Sequence, residues 1–81
     1  MKIEILFFAQ LKDAFGTDRK TVEIEEGVTA HEMAQSLFNE SGFEKFNKLP
    51  VLFAVNERFE EGSIRLKDRD VLALMTPVAG G

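Results

Sequence analysis

The chain reads as an α+β domain: a mixed five-stranded sheet with one main helix packed on one face and a flexible Gly-Gly tail at the C-terminus. Three observations predict it. Apolar residues alternate with period two over residues 2–8, and an apolar block of strand length fills 71–75. A single stripe of helical period runs through 29–39, and the apolar run after Pro50 is too brief for a helix. Eighty-one residues, 44% hydrophobic with eight phenylalanines, suit one domain that builds its own core. The expected division is a folded unit over 1–76 and an extended tail over 77–81.

In the first strand Ile3, Ile5 and Phe7 share one face, while Lys2, Glu4, Leu6 and Phe8 share the other, which turns apolar towards its end. Residues 9–15 are expected to make a short helical turn stopped by Gly16, a residue suited to a helix C-terminus. Thr21 to Ile24 alternates again and breaks at Glu25-Glu26-Gly27, so the first two strands should pair antiparallel across a longer loop. In the helix, Ala30, Met33, Ala34, Leu37 and Phe38 form one stripe, with Thr29 and Glu32 as a capping box and Ser41-Gly42 closing the far end. Val51 to Val55 is expected as a buried strand, and a short strand near Arg58-Phe59 should pair with it. The charged turn Lys67-Asp68-Arg69-Asp70 leads into the last strand, Val71 to Met75, which Thr76-Pro77 ends.

Composition removes several classes of function. A formal charge of -4 disfavours binding to a phosphate backbone, which draws its affinity from Lys and Arg. The absence of cysteine leaves no disulfide, no thiolate zinc site and no thiol nucleophile, and His31 alone cannot build a histidine metal site. The N-terminus lacks the basic start and long apolar stretch of a signal peptide, and no apolar run nears the roughly 20 residues that span a bilayer. A cytoplasmic home is the expectation.

Side chains alone do not suggest an autonomous enzyme. Gly-rich phosphate loops and Cys/His pairs are missing, and His31, placed in the first turn of the helix, is read as a surface residue rather than a base. The acidic pairs Glu25-Glu26, Glu60-Glu61 and Asp68/Asp70 fall in loops, where they are expected to be solvated.

The C-terminus is different. Gly80 and Gly81, following Pro77, Val78 and Ala79, make a thin arm ending in a carboxylate. Glycine lacks a Cβ, so such an arm can enter a narrow channel. A carboxylate becomes electrophilic once converted to a mixed anhydride such as an acyl-adenylate, from which sulfur or nitrogen displaces AMP. A frayed end would look the same in sequence. Strand parity supplies a second feature, because a helix over Ile3, Ile5, Phe7, Leu72 and Leu74 leaves Leu6, Phe8, Val71, Ala73 and Met75 on the far face, with Phe59 nearby. Such an apolar patch on a small protein marks an interaction surface unless a loop folds over it.

The order β, β, α, β, β, β resembles the β-grasp, or ubiquitin-like, arrangement. The N-terminal Ile-Glu-Ile-Leu-Phe-Phe-Ala-Gln-Leu-Lys, Phe15-Gly16, Val55-Asn56, the segment Leu66 to Asp70 and the ending from Thr76 to Gly81 together resemble the small, sulfur-carrier subunit of molybdopterin synthase, the MoaD type. The similarity runs from residue 1 to 81. It implies that the Gly81 carboxylate is adenylated by a ubiquitin-activating-like adenylyltransferase using ATP and Mg, then converted to a thiocarboxylate with sulfur from a donor protein. The tail then enters the large synthase subunit and gives sulfur to precursor Z, cyclic pyranopterin monophosphate, in molybdenum cofactor biosynthesis. Two small subunits would flank a large-subunit dimer as a heterotetramer. On this resemblance Gly81 carries the sulfur and Gly80 supplies clearance. Leu6, Phe8, Phe59, Met75, Pro77, Val78 and Ala79 meet partners, and the small subunit binds no cofactor or metal itself. Two departures bear on partner choice: Thr76-Pro77 stands where the family often has Pro-Pro, and Met75 where an aromatic is frequent.

Two other readings share the fold. One is a carrier or modifier of another pathway, serving thiazole synthesis, tRNA thiolation or lysine conjugation. The other is a ubiquitin-like binding module that never reacts.

Overall fold

The computed structural model describes residues 1–76. Its elements follow the expected order: β1 (Lys2–Phe7), α1 (Gln10–Phe15), β2 (Arg19–Glu23), α2 (Ala30–Glu40), a 3-10 helix (Glu44–Lys48), β3 (Leu52–Val55), β4 (Arg58–Glu60) and β5 (Val71–Met75). The strands form one sheet in the order β2-β1-β5-β3-β4. Only the central β1–β5 pair is parallel, so the sheet is mixed.

The helix α2 begins where the sequence placed it. The Thr29 hydroxyl accepts from the Glu32 backbone N–H at 3.1 Å, and the Glu32 carboxylate accepts from the Thr29 N–H at 2.9 Å. Those hydrogen bonds hold the Glu32 carboxyl below its ordinary value. Two further amides at this end find loop carbonyls: Ala30 N–H donates to Ile64 and His31 N–H to Gly62. Gly62 lies so close to the helix that an added Cβ would sit 3.0 Å from the His31 Cβ and 3.1 Å from Phe53.

The apolar stripe of α2 covers one face of the sheet, where Ile3, Ile5, Leu72 and Leu74 are fully buried. Six of the eight phenylalanines belong to this core. Phe7 stacks on Phe15 at 4.6 Å, Phe15 meets Phe43 edge-on at 5.0 Å, and Phe38 packs on Phe46 at 5.5 Å. Phe43 and Phe46 belong to the segment that includes the 3-10 helix, an element without a counterpart in the sequence reading. The strand β2 starts at Arg19, two residues before the expected Thr21, because its pairing extends to Arg19 opposite Leu6. The remaining phenylalanines, Phe8 and Phe59, are 45% and 74% exposed.

The Asp68/Asp70 pair lies in its loop as expected, Asp68 exposed and Asp70 half-buried, and both carboxylates also accept backbone hydrogen bonds. Asp68 Oδ1 accepts from the Lys2 N–H at 2.9 Å, and Asp70 Oδ2 accepts from the Lys67 N–H at 2.7 Å. Asp70 thereby satisfies an amide within the turn before β5, and Asp68 ties that turn to the first amide of β1.

Candidate functional site

The face of the sheet opposite α2 is assembled by register. Leu6 lies beside Ala73, Ala73 beside Ala54, and Ala54 beside Phe59, so one row of side chains crosses four strands. A second row sets Met75 beside Leu52. Two alanines at the centre with larger residues around them leave a depression of about 590 Å³, lined by Leu6, Phe8, Ala54, Asn56, Glu57, Phe59, Val71, Ala73 and Met75. Ala54 is only 8% exposed although it lies outside the core cluster, because its bulkier neighbours shield it.

All six residues expected on this face are brought together here. Phe8 and Phe59 stand most exposed, and Leu6, Val71, Ala73 and Met75 are half-buried. Two members were missed by the sequence reading. Ala54 and Leu52, the latter 47% exposed, follow from the same period-two rule applied to β3, whose continuous apolar run hid the alternation.

Tight turns fix the rim. Phe8 precedes a turn in which its carbonyl accepts from the Leu11 N–H at 3.1 Å, with Ala9 at φ 52° and ψ −124°, a conformation that favours glycine. At the opposite rim Asn56 and Glu57 form the two-residue connection between β3 and β4, both at positive φ, the pattern of a type I′ hairpin. Asn56 ties this hairpin to β5 twice and to the residue before it once. Its N–H donates to the Val71 carbonyl, its Oδ1 accepts from the Val71 N–H, and its Nδ2 donates to Asp70 Oδ1, each at 2.9 Å. The position of Phe59 against the depression is thereby set by β5 as well as by β3.

The depression has a chemistry of contact. Its lining holds no serine, threonine, cysteine, lysine or histidine, and among the described residues no three His, Cys, Asp or Glu side chains gather as metal ligands would. His31 is exposed at the start of α2 on the other side of the sheet, in keeping with its reading as a surface residue. The depression ends at Met75, and Thr76, the next residue, is buried. Pro77, Val78, Ala79, Gly80 and Gly81, expected as the reactive arm, lie outside the described residues. They are joined covalently to the edge of the apolar face.

Residues 5–81 match the ThiS family. The molybdopterin synthase sulfur carrier subunit of Drosophila melanogaster is 31% identical over an alignment covering 100% of this chain and 92% of that protein. A putative molybdopterin converting factor, subunit 1, from Pyrococcus furiosus superposes with a TM-score of 0.80 at 26% identity, covering 96% of this chain and 99% of that one. A chain in the complex of subunits 1 and 2 of the Helicobacter pylori molybdopterin-converting factor shares the fold, with a TM-score of 0.67 at 24% identity and full coverage of both chains. The ubiquitin-like β-grasp is therefore the fold, and the chain belongs to the ThiS family, where the relatives it matches from end to end are molybdopterin synthase sulfur carrier subunits.

Proposed function

We propose that this chain is the sulfur-carrier small subunit of a molybdopterin synthase, acting through the carboxylate of Gly81. The observation that carries the reading is the joining of two features at one place: an exposed apolar face that ends at Met75, and a Gly-Gly arm that starts two residues later. Full-length relatedness to sulfur carrier subunits supports it.

The chemistry divides between the chain and its partners. An adenylyltransferase of the ubiquitin-activating kind supplies Mg-ATP. The Gly81 carboxylate attacks the α-phosphate, pyrophosphate leaves, and an acyl-adenylate results. The outer sulfur of a persulfide on a donor protein then displaces AMP to form an acyl disulfide, and a second thiol of the donor attacks that disulfide, releasing the thiocarboxylate and leaving a disulfide on the donor. The protein's part is to dock and to present. Phe8, Phe59, Leu6 and Met75 bury apolar surface against the partner, and aromatic anchors contribute most to such contacts. With that face seated, the arm from Pro77 to Gly81 reaches at most ~16 to 18 Å into the partner's site. Gly80 lets it pass where a side chain would collide.

The large synthase subunit is the acceptor partner in this reading, supported by the H. pylori complex, in which a chain of the same fold is assembled with a second subunit. The sulfur passes to precursor Z, and the work is placed in the cytoplasm. Among the described residues no helix is long and apolar enough to cross a membrane.

Deleting Gly81 tests the reading. With ATP, Mg, the adenylyltransferase and a sulfur donor, the full chain is expected to acquire terminal sulfur and deliver it. The deletion variant should still bind the large subunit but deliver none. Transfer that survives the deletion would overturn the assignment of Gly81.

A further inference from the structure

The strand β4 forms an outer edge of the sheet, and its three residues, Arg58, Phe59 and Glu60, are all exposed. Edge strands present unpaired backbone groups and are usually guarded against pairing, often by charge. Here the guard fails in one particular arrangement. We propose that β4 pairs with β4 of a second copy of this chain, antiparallel and centred on Phe59, so that the two sheets join into one.

Backbone geometry selects the centre. In a hairpin with a two-residue turn, the residues flanking the turn exchange both of their hydrogen bonds, and the pattern alternates along the strands. Arg58 and Glu60, opposite Val55 and Phe53, therefore turn their N–H and C=O groups inward to β3. Phe59, opposite Ala54, turns both of its groups outward. Two copies related by a two-fold axis at Phe59 satisfy these groups reciprocally, the N–H of each Phe59 donating to the carbonyl of the other.

Charge selects the partner. Read antiparallel against itself, Arg-Phe-Glu sets Arg58 opposite Glu60 of the second copy and Glu60 opposite its Arg58, and opposite charges facing across strands are favourable. Among the described residues neither side chain is taken by another ion pair. The other edge, β2, differs in this respect, because its Arg19 already pairs with Glu4 and its Glu23 with the N-terminal ammonium, each at 3.8 Å. The two Phe59 rings, each 74% exposed, come together on the face away from α2 and cover one another. The pairing rests on β4 alone and not on the sulfur chemistry, and because it covers Phe59 it competes with the docking of that ring on a partner.

So short a contact makes a weak dimer. Sedimentation equilibrium and two-dimensional NMR are run on the full chain from about 20 μM to about 2 mM, spanning the range expected for an interface well below ~1,200 Å². Reversible dimerisation is expected, with concentration-dependent shifts centred on 58–60. Arg58→Glu and Glu60→Arg, each checked for folding by circular dichroism, should weaken association at least about tenfold, because each sets like charges opposite one another at both symmetry-related positions. The double exchange Arg58→Glu with Glu60→Arg should restore it to within about threefold. A chain that stays monomeric throughout overturns the proposal. So do association indifferent to the single reversals, failure of the double exchange to rescue, and shifts centred on Phe8 or on β2.

Discussion

Replacing Asn56 separates two contributions that the structure assigns to one residue. Asn56→Ala removes the hydrogen bond to the Val71 N–H and the charge-assisted one to Asp70, and it forces a Cβ without a compensating amide into the left-handed region at φ 51°. The neutral bond is worth about 1 kcal/mol and the bond to a carboxylate about 1.5, taken at the low end because both are solvent-accessible. The left-handed backbone adds about 1 kcal/mol for alanine. The expected loss is about 3.5 kcal/mol, a large share of the roughly 4 to 12 kcal/mol available to a domain of this length. Asn56→Gly loses the same hydrogen bonds without the strain and should lose about 2.5 kcal/mol. The alanine variant is therefore expected to melt below the glycine variant by about 4 to 8 °C. The protein has neither tryptophan nor tyrosine, so urea and thermal unfolding are followed by far-ultraviolet circular dichroism. Equal stability of the two variants, or losses of less than about 0.5 kcal/mol in both, the level of an ordinary surface change, would refute the clamp.

Other perturbations read other parts of the molecule. Phe8→Glu should leave stability within about 0.5 kcal/mol, since the ring is 45% exposed, but weaken binding to the large synthase subunit at least about tenfold by titration calorimetry. Wild-type affinity would remove Phe8 from the interface. Phe38→Ala should cost about 3 to 5 kcal/mol and leave much of the protein unfolded at 37 °C, because the ring is buried between α2 and the 3-10 helix and packs on Phe46. A cooperative melt close to that of the wild type would contradict the packing. Glu32→Gln probes the capping box through pH. The folded-state carboxyl is held below its ordinary value, so its stabilisation is complete above that value and is lost as the pH falls through the lowered one. The melting-temperature gap between wild type and variant should therefore close on acidification, and a gap independent of pH would contradict the role of the charge.

Much of this architecture is legible in the sequence where periodicity and local chemistry agree. Thr29, Glu32 and the stripe from Ala30 to Phe38 define α2 without reference to the rest of the chain, because capping and burial both act within a few residues. Parity likewise separates Ile5 from Leu6 and Leu72 from Ala73, which suffices to place the outer face. The 3-10 helix was not legible, since five residues with one buried phenylalanine carry no period, and their order comes from Phe46 packing on Phe38 and Phe43. The roles of Asp70 and Asn56 were hidden for a similar reason. Their partners lie 14 and 15 residues apart in the chain, and only the folded turn brings Asn56 to Asp70 and Val71. The proposed reactive end shows the opposite relation: Gly80 and Gly81 are read entirely from the sequence, and in the proposed function the fold contributes the apolar face that docks a partner.

The central claim is that Gly81 carries sulfur, and the intact mass of the protein purified from its own cells tests it most directly. Exchange of one terminal carboxylate oxygen for sulfur adds a fixed mass that fragmentation places on the last residue, and this is the predicted result. A tail that remains a carboxylate, even after incubation with ATP, Mg, the adenylyltransferase and a sulfur donor, would contradict the claim and favour a ubiquitin-like binding module.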